Sequence, residues 1–334
     1  MALYLEQKDI KYLGRKGALT IPSPQFRREL LKSFFLWVQP SVPILDLNVQ
    51  FHAMVVDEEL CGISLLLFHA VMFAASRFVD IDCIKREGYE SRRAARECLY
   101  RRAKALFELD CEQDRLSHVQ AILLMIYWDG PRKGERDAAH WMGSCISLAM
   151  SIGLHQDPDP NTMTPAQQRI WKRTWWSMHN HARNTCPDLL SMVSIMEADS
   201  PSMVTLDDFE LQIASREVRS IFGESEVACS LEYQKTQALL FIEKTKLCQI
   251  FQLSTLTGQL SGVVYGDNGI DLETPSTLID PDELSWWLAQ RTPETTHRLP
   301  LSPYPMPLLE CHKSTLQPVL KIPVKSQRSE RNTF

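Results

Sequence analysis

The chain lacks the features that mark the common catalytic and binding scaffolds. Its 13 glycines in 334 residues are too few for a β-sandwich or a phosphate-cradling fold, both of which spend glycine on tight turns. It contains no G-x-x-x-x-G-K, no G-x-G-x-x-G and no G-x-S-x-G, so neither a nucleotide loop nor a nucleophile elbow can be assembled. Its nine cysteines include no C-x-x-C pair; reduced, mostly buried thiols in a cytosolic or nuclear protein fit that spacing better than disulfides or zinc. A net charge of −5 gives no general attraction to nucleic acid or anionic membrane. Met1 to Lys16 has no apolar run of the signal-peptide kind.

What the chain does have is helical periodicity. Residues 1–24, with Gly14, Gly17, Pro22 and Pro24, read as an extended lead-in. Phe26, Leu30, Leu31, Phe34, Phe35 and Val38 follow helical spacing until Pro40 and Pro43 stop it. Leu60 to Ala75 is uncharged and apolar on all sides, the pattern of a central core helix; Ser64, His69 and Arg77 make it too broken for a membrane span. Helices are predicted over Tyr89–Leu109, Asp114–Trp128 and Asp137–Ile152. Gly153 is placed to end the last of these in the left-handed conformation. Thr164-Pro-Ala-Gln167 then has the residues of a capping box, ahead of an apolar face made by Ile170, Trp171, Thr174, Trp175 and Met178. Further helices are predicted over Ser225–Leu253 and around Trp286 and Trp287. The fold class is all-α, with a regulatory-type helical domain over 25–290 and a disordered, proline-rich tail over 291–334.

Few residues suggest chemistry. Arg92, Arg93, Arg96, Arg101, Arg102 and Lys104 could form a nucleic-acid stripe, but Glu87, Glu90, Glu97 and Glu108 are interleaved with them. That pattern reads as a solvated, salt-bridged helix face, so no DNA-contacting residue is assigned. His179 and His181, with Cys186 nearby, have the wrong spacing for a helical metal pair. Asp207 and Asp208 could hold magnesium in a helical enzyme, but position 211 is Leu where a third carboxylate would stand, and a loop or capping role reads better. No catalytic or metal-binding residue is therefore assigned. Leu123, Trp141 and Trp175 are kept as candidates for lining a ligand cavity, although aromatics at helical spacing are more often plain core.

Several segments together resemble the fungal-specific transcription factor domain, the regulatory middle region of the zinc-cluster transcription factors, and its cutinase transcription factor branch in particular. They are Lys16–Pro22, Leu30–Asp46, Tyr100–Asp110, Asp114–Trp128, His140–His155 and Arg169–Trp176. The resemblance implies a large all-α regulator of transcription acting in the nucleus, with transcriptional proteins or a full-length paralogue as partners. It also allows a small-molecule effector; the missing cysteine spacing and the interrupted Leu60–Val79 run leave no direct DNA contact and no membrane span expected. The family's zinc belongs to a cluster of six cysteines whose spacing is absent here, so no cofactor is expected. Glu197-Ala-Asp-Ser-Pro201 stands where the family has an arginine pair. The pattern also stops short of the family's later helices, so a truncated domain that leaves the Leu60–Val79 helix partly uncovered is expected. Two other functions are carried alongside regulation: a small-molecule sensor, and a magnesium-dependent helical enzyme built on Asp207 and Asp208.

Overall fold

The computed structural model describes residues 6–56, 62–128, 138–185, 200–222 and 230–264, apart from the side chains of 183–185, 247 and 250–264. The predicted Trp286–Trp287 helix and the 291–334 tail lie outside these residues. Among the described residues there are helices and no strand, so the all-α expectation holds. In order they are α1 (Gln7–Arg15), α2 (Pro24–Trp37), α3 (His52–Val56), α4 (Leu65–Ala75), α5 (Ile81–Arg86), α6 (Arg92–Glu108), α7 (Arg115–Met125), α8 (Ala138–Ser151), α9 (Pro165–Thr185), α10 (Arg216–Ser220) and α11 (Leu231–Val264). A π-turn over Leu47–Phe51 precedes α3, and a 3-10 turn over Leu206–Asp208 precedes α10.

The centre is α4. Ser64 caps it by accepting from the Leu67 N–H at 3.0 Å, and every residue from Leu66 to Ala75 is buried. Helices α2, α6 and α7 pack around it. Burial of Leu66, Leu67, Phe68, Val71, Met72 and Phe73 contributes on the order of 10 kcal/mol. The chain covers this helix itself, which overturns the expectation of an exposed apolar face. From α7 the packing passes to α8, then to α9, and from α9 to α11.

Residues 1–24 are not extended throughout, because α1 occupies their middle. The helix has a single fully buried side chain, Leu13, with Tyr12 packed against the core beside it, too short a pattern to stand out in the sequence. The glycine that suggested an extended lead-in is its stop signal. Gly17 has φ +68°, its N–H reaches the Gly14 carbonyl at 3.0 Å, and the Ala18 N–H reaches that of Leu13 at 3.0 Å. The same arrangement ends α8. Gly153 has φ +76°, and its N–H and that of Leu154 reach Met150 at 3.1 Å and Ala149 at 2.9 Å. The capping box at α9 also forms: the Gln167 N–H donates to Thr164 Oγ1 at 3.3 Å, and the Thr164 N–H donates to Gln167 Oε1 at 2.8 Å.

Two histidines in this framework have strongly lowered pKa values. His69 on α4 meets the Ala18 carbonyl through Nε2 at 2.8 Å. Burial first, and Arg102 second, lower its pKa to about 3. His181 on α9 lies against Tyr127, ring centres 5.0 Å apart. Burial and Lys244 lower its pKa to about 4.

Two predictions follow from the backbone and from these rings. Gly153→Ala should lower unfolding stability by about 1 kcal/mol, the cost of forcing a side chain into the left-handed region. Gly143→Ala, in the interior of α8 with nothing within 4 Å of the added carbon, should raise it by about 0.5–1 kcal/mol. Urea denaturation checks both signs, and equal shifts would contradict the helix-stop assignment. The depressed histidine pKa values mean that the unfolded chain binds protons that the folded chain refuses. Stability is therefore complete above pH ~6.5, the unfolded value. It falls as pH drops toward the folded values of about 4 and about 3. Urea midpoints between pH 7.5 and 4.5 should fall with acidification, and His69→Gln should flatten the slope.

Candidate functional site

The cations of α6 turn inward more than their spacing suggested. Arg92 donates to the carbonyls of Ser76 at 3.2 Å, Arg77 at 2.9 Å and also Val79. It thereby ties the start of α6 to the turn that follows α4. Arg96 is buried, lies over the Phe73 ring at 5.1 Å and donates to the Tyr127 carbonyl at 2.7 Å. Arg102 reaches the Thr20 carbonyl at 3.3 Å. Only part of the predicted solvated face remains: Arg101 pairs with Glu97, and Lys104 approaches Glu108 at 3.9 Å. These arginines fasten one element to the next, and the sequence pattern alone did not reveal it.

A second basic edge organises the opposite side of the domain. Arg169, Lys172 and Arg173 lie three and four residues apart on α9 and so share one face. Arg169 pairs with Glu210 at 3.2 Å, and Lys172 with Asp208 at 3.4 Å. Arg173 pairs with Asp46, both side chains almost fully buried, and its guanidinium lies 5.8 Å from the Phe209 ring centre. Asp208 also accepts from the Thr205 N–H at 2.8 Å and from its hydroxyl at 3.1 Å. Asp207 beside it is exposed. The two carboxylates therefore do not converge on a magnesium site, and an ammonium already faces the buried one. This corrects the magnesium-enzyme alternative.

Asp46 belongs to the segment that follows the stop of α2. Gln39 Nε2 donates to the Leu45 carbonyl at 2.7 Å and closes the loop. Gln120 of α7 donates to the Ile44 carbonyl at 3.0 Å and to the Thr174 hydroxyl at 3.2 Å, tying the segment to α7 and α9. Between this segment, α9, the 209–211 stretch and the first turns of α11 lies a half-enclosed cavity of about 70 Å³. Phe35, Pro40, Pro43 and Phe209 give it apolar walls, and Gln39, Asp46, Arg173 and Gln237 give it polar ones.

The aromatic cavity candidates went elsewhere. Leu123, Trp141 and Trp175 are fully buried, and none of them lines this cavity or the broad, open groove along α8 beside His140, Ser144 and Ser147. Trp141 donates to the Tyr100 hydroxyl at 3.0 Å, and Tyr100 in turn stacks on Trp128, ring centres 4.5 Å apart. The residues that do line a pocket were missed because Gln39, Arg173 and Gln237 carry no periodic signal.

The histidine pair behaves as core. His179 is buried with its ring edge-on to Trp176, centres 5.2 Å apart, and Cys186 lies outside the described residues. Among the described residues no three His, Cys, Asp or Glu side chains are grouped to hold a metal ion. Two of the described thiols are held protonated: burial pushes Cys145 upward, and burial with Asp9, Asp110 and Glu112 nearby pushes Cys111 up to about 11. No helix among the described residues is long and apolar enough to cross a membrane.

Comparison with known proteins agrees with the packing. Residues 31–178 match the fungal specific transcription factor domain. The match runs from the end of α2 that shapes the cavity to the part of α9 that carries its arginine. Cutinase transcription factor 1 beta of Fusarium vanettenii is 37% identical over 243 residues, covering 72% of this chain and 28% of that protein. Transcription factor cpaR of Aspergillus oryzae is 32% identical over 251 residues, covering 71% of this chain and 40% of that protein. The acetamidase regulatory protein of Aspergillus fumigatus is 30% identical over 162 residues, 48% of this chain and 20% of that protein. The chain thus spans well under half the length of these relatives. The cutinase branch expected from the sequence is among them. No solved structure matches.

Truncating one member of the buried pair strands the other charge. Arg173→Met alone, or Asp46→Leu alone, should cost about 3–5 kcal/mol of stability, and the double variant less than the sum of the two. A double-mutant cycle by chemical denaturation checks this, and additive losses would show that the ion pair does not hold the segment.

Proposed function

We propose that this chain is the helical regulatory module of a fungal zinc-cluster-type transcription factor and acts in the nucleus through contacts with other transcriptional proteins or a full-length paralogue. The observation that carries the reading is the domain match over 31–178, together with relatives that are named as regulators of transcription. The structure supports it through the use made of the charged side chains. Arg92, Arg96 and Arg102 are engaged with backbone carbonyls of their own chain, and Asp208 is engaged with Lys172 and Thr205. Groups that could have gripped DNA or a metal hold helices in place instead. DNA recognition then falls to another polypeptide region or another protein, and this module sets when that recognition becomes transcription.

The test is a fusion to an unrelated DNA-binding domain in a fungal cell carrying a matching reporter. Reporter output should move away from that of the DNA-binding domain alone, up for an activating module and down for a repressing one. The purified chain alone should not shift duplex DNA. An expressed, nuclear fusion that leaves the reporter unchanged would overturn the proposal.

A further inference from the structure

We propose that the outer face of α1 is a docking site for an acidic segment of another protein, one whose carboxylates are interspersed with bulky apolar side chains. The inference rests on the reading of the chain as a module that works through contacts, and gives one such contact a place and a chemistry. In a chain of net charge −5, residues 6–16 hold the cations Lys8, Lys11, Arg15 and Lys16 against the carboxylates Glu6 and Asp9. All four cations are exposed. Lys8, Lys11 and Arg15 stand three and four residues apart and share one side of the helix. Lys11 and Arg15 each stand two residues from the buried Leu13, and so lie opposite it and face outward.

The charges of this face are unanswered. On α6, Arg101 pairs with Glu97 and Lys104 approaches Glu108, each one turn away. On α1, Lys8 meets Glu6 at 2.8 Å, but among the described residues Lys11, Arg15 and Lys16 have no carboxylate partner. Like charges four residues apart oppose the helix that carries them, and an anion laid along Lys11 and Arg15 relieves that repulsion. Beside these cations runs an apolar edge. Ile10 is 39% exposed, and Gly14 one turn on has nothing within 4 Å of an added carbon. That leaves open space against Ile10 for a leucine or phenylalanine side chain. Leu19, 40% exposed, follows the turn that ends α1.

Helix α9 displays the kind of segment that such a face takes. Its Arg169, Lys172 and Arg173 are covered by the stretch Leu206–Leu211. Glu210 meets Arg169 at 3.2 Å, and Asp208 meets Lys172 at 3.4 Å. Phe209 between them lies with its ring centre 5.8 Å from the Arg173 guanidinium and packs edge-on to Phe241. Acid, aromatic, acid over a row of cations is recognition within one chain, and α1 holds a row of cations open for a segment from another. Duplex DNA fits less well, because its phosphates offer nothing to the Ile10 edge.

The experiment titrates the full 334-residue chain into a fluorescently labelled synthetic peptide of sequence 203–213, followed by anisotropy. Saturable binding is expected at ~50 mM salt with a Kd between about 10 and 500 μM, weakening about tenfold at ~0.5 M salt. Lys11→Glu with Arg15→Glu should weaken it about tenfold or more, and Lys11→Gln with Arg15→Gln about threefold. Both pairs should leave the melting curve unchanged, since the side chains are exposed. A peptide carrying Asp207→Asn, Asp208→Asn and Glu210→Gln should not bind. One carrying Leu206→Ser, Phe209→Ser and Leu211→Ser should bind about fivefold more weakly. Binding that survives Lys11→Glu with Arg15→Glu would place the peptide on α9 and overturn the site. Equal affinity for the serine-substituted peptide, or for a duplex DNA fragment, would reduce the face to plain charge and also overturn it. A silent reporter fusion leaves this titration as it stands, and a failed titration leaves the reporter, so the two readings fail separately.

Discussion

The structure depends on one demand, that α4 be surrounded by protein. A helix apolar on every side has no face to give to water, so its neighbours must close around it. Helices α2 and α6 do so with one buried face each, and α7, buried from Ser117 to Met125, does so from within the core. Much else follows. The turn that leaves α4 has to be tied to the next long helix, and Arg92 does this through the Ser76 and Arg77 carbonyls. Helix α6 must carry cations long enough to reach over the core, and Arg96 crosses Phe73 to reach the Tyr127 carbonyl. A helix that looks like a charged exterior is in large part the binding strap of the interior.

How much of this is legible in the sequence varies with the range of the interaction. Gly153, the Thr164 box and the uniform apolarity of α4 act over a few residues, and each is readable where it stands. Helix α1 is not, because in nine residues only Tyr12 and Leu13 pack against the core. Pairings across long separations are also hidden: Asp208 reads as a loop carboxylate until α9 brings Lys172 to 3.4 Å. The pocket is the hardest case. Trp141 and Trp175 have the bulk expected of a cavity wall, but bulk is also what fills a core, and both are fully buried away from it. The cavity is lined instead by Gln39, Arg173 and Gln237, which come together only once the helices are assembled.

Function follows the same division between local pattern and assembly. The match over 31–178 covers the C-terminal half of α2, all of α4, α6 and α7 and most of α9, so the part shared with fungal transcription regulators includes most of the scaffold. Asp46 and Arg173 both lie within it, bridging segments 127 residues apart. Removing one partner of a buried ion pair leaves the other charge uncompensated, so the pair couples the two segments that carry it. That is a useful property for a module whose output is a surface: a change at the cleft where the pair sits bears on α2, α9 and α11 together, since all three line it.

The enclosure of α4 is the central claim, and native-state hydrogen–deuterium exchange tests it most directly. If α4 is the keystone, the amides of Phe68–Ala75 exchange only through global unfolding, at the slow rate shared with α7, while α1 and α5 exchange earlier. Exchange of Phe68–Ala75 as early as α1, with α7 still protected, would contradict the account.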